Sequence, residues 1–357
     1  MTVPPISVVM PVHNGMPYVE DSVRSLLAQR FGAFELVIGD DGSSDGTSET
    51  LARLARADPR IRLARRENRS GVAGSLNWVV SMARAPLVAI AHADDLCHPD
   101  RLGRQVEVLQ SRPDAVAVGS LFRGIDPEGR VVQPPHYWPL RLHSPFAPFV
   151  HSSTMFRRAA FDRVGGYRPE AEYWEDLDLY WRLLEIGRIF VIPEVLAFYR
   201  HSPVSVRSRE SDEKVENALE LMYRSTAAFA RRCDHAPLLR SGAASVARGR
   251  IHPRIFVARS WAALWSGRRP GTLKRLLRRG DLRCNRTSFV SLAFVLGATL
   301  SPRAVRLAVC SWREMRNRLA RRALRGGEIV EWFPHAASTN AGAASAADAS
   351  SDSGQTR

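Results

Sequence analysis

The sequence predicts an α/β fold: a doubly wound, mostly parallel sheet carrying a helical C-terminal appendage. Three observations lead there. Short apolar runs alternate with amphipathic helical patterns through the first 120 residues. Polar residues gather just past the ends of those runs, and the charge balance changes abruptly near residue 210.

The elements follow in order. Ile6–Val12 reads as a buried strand, and Pro17–Gln29 as a helix with Val19, Val23, Leu26 and Leu27 on one face. Residues 35–40 form a second strand and 47–57 a second helix; 61–65 is a third strand, followed by a helical stretch over 72–83. Residues 87–91 are the fourth strand, Pro99–Gln110 a helix with proline in its first turn, and 115–119 the fifth strand. Strand then helix, repeated, requires crossover connections and therefore a parallel sheet covered on both faces. Residues 121–150, rich in Pro, His and aromatics, read as a long ordered loop, a kind more often functional than idle. Strand 154–156, helix 176–186 and strands at 188–192 and 195–199 complete this part. Residues 211–335 are helical in pattern and rich in arginine, and 336–357 form a small-residue tail with too little apolar surface to order itself.

Composition narrows the function classes. With 357 residues, 45% hydrophobic and 24% charged, the chain buries a real core and is neither a coiled coil nor a disordered tail. Its four cysteines are far apart and form no CxxC, which argues against a zinc knuckle, a redox pair or a disulfide framework and for a reducing compartment. Residues 1–210 hold 25 basic and 25 acidic side chains, so the whole excess of +15 lies beyond them. The opening apolar run lacks the basic flank of a secretory signal, and Phe289–Leu300 is short of the roughly 20 residues that span a bilayer. A cytoplasmic protein is expected. The segment 251–326, with Trp261, Trp265 and Trp312 among arginines, suits an anionic membrane surface at the inner face of the plasma membrane. It suits equally an appendage with solvated arginines. No nucleic-acid recognition motif accompanies the charge, so no nucleic-acid partner is expected.

Ligands of open α/β sheets bind beyond the carboxyl ends of the strands. His13-Asn14-Gly15 follows the first strand, Asp40-Asp41-Gly42-Ser43 the second, and His92-Ala93-Asp94-Asp95 the fourth. Four carboxylates on one rim repel each other and repel phosphate unless a divalent cation or hydrogen-bond donors neutralise them. The rim therefore predicts Mg2+ or Mn2+ bridging to a diphosphate, with Asp41 placed to accept hydrogen bonds from a base or ribose. The Asp41–Gly46 stretch reads alone as a turn with a helix cap; two aspartate pairs at two strand ends favour the site.

Four blocks carry a family resemblance: Ser7–Asn14, Phe34–Thr47, Asn68–Asn77 and Ala93–Leu102. With Gly165-Gly166-Tyr167 and Trp174–Leu183 they resemble, in the right order over about residues 4–205, the successive motifs of the family-2 glycosyltransferases of the GT-A fold. The resemblance implies transfer of a sugar with inversion from a nucleotide-diphosphate donor, uridine or deoxythymidine, to a hydroxyl on a glycan or lipid-linked acceptor. The implied setting is cell-surface polysaccharide or lipopolysaccharide assembly. It implies a nucleotide half over about 1–120 and an acceptor half over about 121–210. It places Pro11, Val12, Asn14 and Asn68 at the nucleotide sugar, Asp41 on the base, Asp94 and Asp95 at metal and diphosphate, and Asp176 as the general base. A hydroxyl nucleophile needs a base within reach, and a diphosphate leaving group needs its charge neutralised. Glu175 or Asp176 also reads as the N-terminal cap of the helix that begins here. His92 stands where the family's acidic block begins with aspartate, as a metal ligand or a packed histidine, and Leu76 where the family often has arginine. His151–Arg157 and Tyr199-Arg200-His201 resemble blocks flanking the acceptor side, with Arg200 either steadying a phosphate or packing. The alternative reading is a GT-A-like nucleotide-binding scaffold without turnover.

Overall fold

Strand β1 (Ile6–Val12) sits at the centre of the sheet, and its side chains divide between two cores. Val8, Met10 and Val12 face one and Val9 the other, none more than 2% exposed. A strand buried on both faces has an apolar run without alternation, which is why the sequence pattern shows it. The structure, a computed structural model, describes residues 3–132, 147, 149–172, 174–201 and 329–332. Most of the expected basic region 211–335, the tail 336–357 and residues 133–146 and 148 of the expected loop lie outside the described residues.

β2 (Phe34–Asp41), β3 (Ile61–Arg66) and β4 (Leu87–Ile90) join β1 in the parallel order β3-β2-β1-β4, with Ile6 opposite both Phe34 and Leu87. Beyond β4 the sheet becomes mixed. The short β7 (Met155–Arg157) runs antiparallel between β4 and β6 (Ala115–Ile125), and β6 pairs parallel with the long β8 (Arg188–Arg200). Two short antiparallel strands share the outer edge of β8: β5 (Leu96–Cys97) at Ala197–Phe198 and β9 (Val330–Trp332) at Ile189–Val191. Helices α1 (Val19–Leu27), α2 (Thr47–Ala57) and α4 (Arg101–Ser111) pack on one face. On the other lie α3 (Gly71–Ser81), α5 (Arg158–Arg163) and α6 (Glu175–Leu183).

Most element ends shift by a few residues from expectation, and three differences bear on how the chain is laid out. β6 continues to Ile125, taking the start of the expected loop, because β8 pairs with it along its whole length. The two strands expected at 188–192 and 195–199 are one. Pro193, which lacks an N–H, falls where the register jumps from Ile192 opposite Ser120 to Val195 opposite Leu121, a bulge that spares the ladder. Pro99 precedes α4 instead of entering its first turn; Asp100 is the cap position.

Helix α3 lies close on β2 only because Gly39 has no side chain. A Cβ there would stand 2.5 Å from Val79 Cγ1 and 2.7 Å from Trp78 Cζ3. Gly39→Ala is expected to lower the unfolding free energy by about 1 to 3 kcal/mol through overpacking. Urea denaturation measures it, and an unchanged midpoint would mean that α3 backs away at no cost.

Candidate active site

The loops after β1 and β2 are stitched together by polar atoms. Nδ1 of His13 is 2.9 Å from the carbonyl oxygen of Asp41. The Asn14 N–H donates to Ser43 Oγ at 2.9 Å, Asn14 Oδ1 accepts from the Ser44 N–H at 2.9 Å, and the Gly15 N–H donates to Thr47 Oγ1 at 2.8 Å. Asn14 sits at φ 53°, a left-handed conformation that asparagine tolerates, and its side chain is exposed. Pro11 is half-buried, while the Val12 side chain belongs to the core, so Val12 offers the rim only its backbone. Asn68 is exposed in the connection between β3 and α3.

Asp40 and Asp41 divide the two readings of their block. Asp40 accepts from the Ser43 N–H at 3.0 Å and from Ser48 Oγ, so it holds its own turn. Asp41, 2% exposed, accepts from Arg66 Nε at 2.6 Å, from the Ser70 N–H at 3.1 Å and from Ser75 Oγ. Arg66 in turn lies over the Trp78 ring, 4.2 Å from its centre. Burial opposes ionisation of Asp41, but the hydrogen bonds from Ser75, Ser70 and Arg66 outweigh it and hold the carboxyl below its ordinary range. Asp41 is thus an ionised acceptor at the end of β2. Leu76, on α3, is 1% exposed and packs in the core.

At the end of β4, Asp95 is 3% exposed and is gripped from two sides: Oδ1 accepts from the Arg200 N–H at 2.9 Å and Oδ2 from Ser152 Oγ. Arg200 Nε donates to the Asp94 carbonyl at 2.8 Å, Nη1 to the Pro127 carbonyl at 2.7 Å, and the guanidinium lies 4.6 Å from the centre of the Tyr18 ring. Its Nη2, buried, has no hydrogen-bond partner among the described residues. One ligand atom each from His92, Asp94 and Asp95 lies within 4.8 Å of the others. An imidazole and two carboxylates are a donor set that fits a Mg2+- or Mn2+-class ion. Burial and the neighbouring Asp94 charge push the Asp95 carboxyl up to about 6, only partly offset by His92, Ser152 and the Arg200 N–H.

That shift has a sign. Asp95 holds its proton more tightly folded than unfolded, so its contribution to stability is present below pH 3.8 and lost as the pH rises through about 6. Chelated protein is expected to show this loss, and Mn2+ to remove it by favouring the ionised pair. Melting temperatures at about pH 5 and pH 7.5, with and without Mn2+, test it; equal slopes in both would count against a cation at Asp95.

Asp176 is the second residue of α6, half-buried, with Oδ1 accepting from the Leu177 N–H at 2.8 Å. Trp174, at the cap position, makes no side-chain cap bond. Burial, then neighbouring groups that include Asp176 and Glu175, raises the hydroxyls of Tyr167 and Tyr180 well above the usual phenol range. These tyrosines link α6 to the acidic rim. Tyr180 shares a 2.6 Å hydrogen bond with Thr154 Oγ1, and the Tyr167 hydroxyl is 2.8 Å from Nε2 of His151, whose Nδ1 is 3.2 Å from Nε2 of His92. The Tyr167 backbone is bound in both directions by Asn77 of α3, and Glu172 accepts from the Val72 N–H at 2.8 Å. The structure therefore brings Asp94, Asp95 and Asp176 to one continuous region, with Asp41 joined to it through α3.

Tyr180 and Trp181 are 0% exposed and belong to the core, which leaves neither ring a face for stacking on a sugar. Sequence reasoning missed Arg66, Ser75 and Ser152 as partners of the aspartates. Ser152 lies 57 positions from Asp95, and no local spacing signals such a pair.

Residues 7–166 match the family model described as Glycosyl transferase family 2. EpsE of Bacillus subtilis (strain 168), whose name assigns it to the glycosyltransferases, is 30% identical over 227 residues, 62% of this chain and 81% of EpsE. A hyaluronan synthase of Pasteurella multocida is 28% identical over 188 residues, 52% of this chain and 19% of that protein. Among solved structures, the mannosyltransferase PcManGT from Pyrobaculum calidifontis, in complex with GDP-Man and Mn2+, superposes with a TM-score of 0.56 at 20% identity. That match covers 91% of this chain and 87% of PcManGT, and shows a shared fold.

Proposed function

The chain belongs to glycosyl transferase family 2, and from that premise we propose that it moves a sugar from a nucleoside-diphosphate donor to a hydroxyl acceptor with inversion. One observation carries the reading. Hydrogen-bond contacts run from His92, beside Asp94 and Asp95, through His151 to the Tyr167 hydroxyl, which lies within the electrostatic influence of Glu175 and Asp176; this supports a base that works close to the diphosphate. Asp41 accepts from the base of the nucleotide, the Pro11–Asn14 loop and Asn68 border the nucleotide sugar, and Arg200 Nη2 takes an anionic oxygen of the diphosphate. Asp176 accepts the proton of the acceptor hydroxyl as its oxygen attacks the anomeric carbon opposite the leaving group. A divalent cation held by Asp94 and Asp95 would offset the charge that grows on the departing diphosphate.

The acceptor is a glycan or a lipid-linked sugar, in the assembly of a cell-surface polysaccharide or lipopolysaccharide. The similarity to a hyaluronan synthase, a polysaccharide enzyme by name, supports this setting. No helix among the described residues is long and apolar enough to cross a membrane. Attachment to an anionic membrane surface is assigned to residues 251–326, which lie outside the described residues.

A thermal-shift panel of nucleoside-diphosphate sugars, each with Mn2+ and with chelator, tests the function. A matching donor at 100 times its Kd should stabilise the protein by about 2.7 kcal/mol, and chelator should reduce that gain. No shift with any donor would end the reading.

A further inference from the structure

His92 opens the acidic block with an imidazole, and its two ring nitrogens have different surroundings. Nε2 is 3.2 Å from Nδ1 of His151, whose Nε2 is 2.8 Å from the Tyr167 hydroxyl. His151 is 7% exposed and sits between the His92 ring and the Tyr167 hydroxyl. A neutral imidazole there has one N–H and one lone pair to offer. Nδ1 of His92 faces Oδ2 of Asp95 at 3.6 Å, too far for a hydrogen bond. Two donors each about 2.1 Å from a shared ion lie roughly 3 to 4 Å apart, which is the spacing found.

We propose that Nδ1 of His92 is a third protein donor to the divalent cation at Asp94 and Asp95, held in the ligating tautomer by His151, and that the centre therefore selects Mn2+ or Co2+ over Mg2+. The inference rests on the cation assigned to the aspartates above. In the ligating tautomer the His92 Nε2–H donates to His151 Nδ1, and the His151 Nε2–H donates to the Tyr167 oxygen. Every nitrogen then has one role, and the His92 Nδ1 lone pair is directed at the ion. The opposite proton order places a hydrogen on Nδ1, pointing it at Asp95, and leaves no lone pair for an ion. Mg2+ prefers oxygen donors and keeps its water, whereas imidazole suits the later divalent ions. An outer partner such as His151 typically changes metal affinity by about 10- to 100-fold.

The test uses the full chain loaded with Mn2+ alone and pulsed electron paramagnetic resonance. Wild-type protein is expected to show nitrogen-14 modulation from a bound imidazole. His92→Asp should bind Mn2+ without that modulation and favour Mg2+ about tenfold or more relative to wild type in competition titrations. His151→Phe should weaken Mn2+ binding by about 10- to 100-fold. The wild-type spectrum decides the matter even where a variant fails to fold. Bound Mn2+ without nitrogen modulation, modulation that persists in His92→Asp, or an unchanged Mn2+ to Mg2+ ratio in that variant would overturn the inference and leave the cation at the aspartates standing. Failure of wild-type protein to bind Mn2+ would remove both.

Discussion

Asp176→Asn is expected to lower kcat for sugar transfer by about 10²- to 10⁴-fold, the usual worth of a positioned base, while donor affinity and melting temperature stay close to wild type. The substitution is nearly isosteric. The asparagine oxygen still accepts from the Leu177 N–H, so the first turn of α6 keeps its hydrogen bond, but the amide has no capacity to take the acceptor's proton. Single-turnover transfer with a saturating donor measures the effect. Equal rates in the two proteins would free Asp176 from catalysis and favour the scaffold that retains nucleotide affinity without turnover.

Asp178→Ala, two residues along the same helix, should have the opposite signature: a loss of stability of about 3 to 5 kcal/mol, with kcat per folded molecule retained. Asp178 is 0% exposed and accepts from Arg182 Nε at 3.0 Å and Nη2 at 2.7 Å, with Arg168 at 3.5 Å. Arg182 is itself 5% exposed; burial depresses its basicity, and Asp178 opposes that loss. Removing the carboxylate would leave the buried guanidinium with the Val164 carbonyl at 2.7 Å and only the weaker attraction of Glu185. Urea denaturation against kcat separates the two aspartates, and a midpoint unchanged in Asp178→Ala would show the pair to be dispensable.

The parts of this molecule that the sequence makes legible are those governed by local periodicity. The buried strands Ile6–Val12, Phe34–Asp41 and Leu87–Ile90 announce themselves as apolar runs, and the rim residues announce themselves by following those runs. What escapes is set by pairing across the chain. Met155–Arg157 is too short for its antiparallel direction to leave a trace, and Pro193 looks like a strand break when it occupies a bulge. The same holds for the site. The Asp41 and Asp94-Asp95 blocks stand out as aspartates at strand ends, but Arg66, Ser75, Ser152 and the Arg200 N–H, which decide how those carboxylates are held, come from 25 to 105 positions away. His92 is legible only as a departure; its connection to His151 depends on the mixed half of the sheet.

The outer edge of β8 is completed piecemeal, by β5 at one end and by β9 at the other. A fragment cut before residue 330 would bare the backbone of Ile189–Val191, in the most apolar stretch of that strand. Unpaired ladder groups flanked by buried side chains are a template for a second molecule. Shortened versions that end near residue 210 should therefore self-associate, and a soluble fragment needs the distant 330–332 segment supplied or that edge blunted with charge.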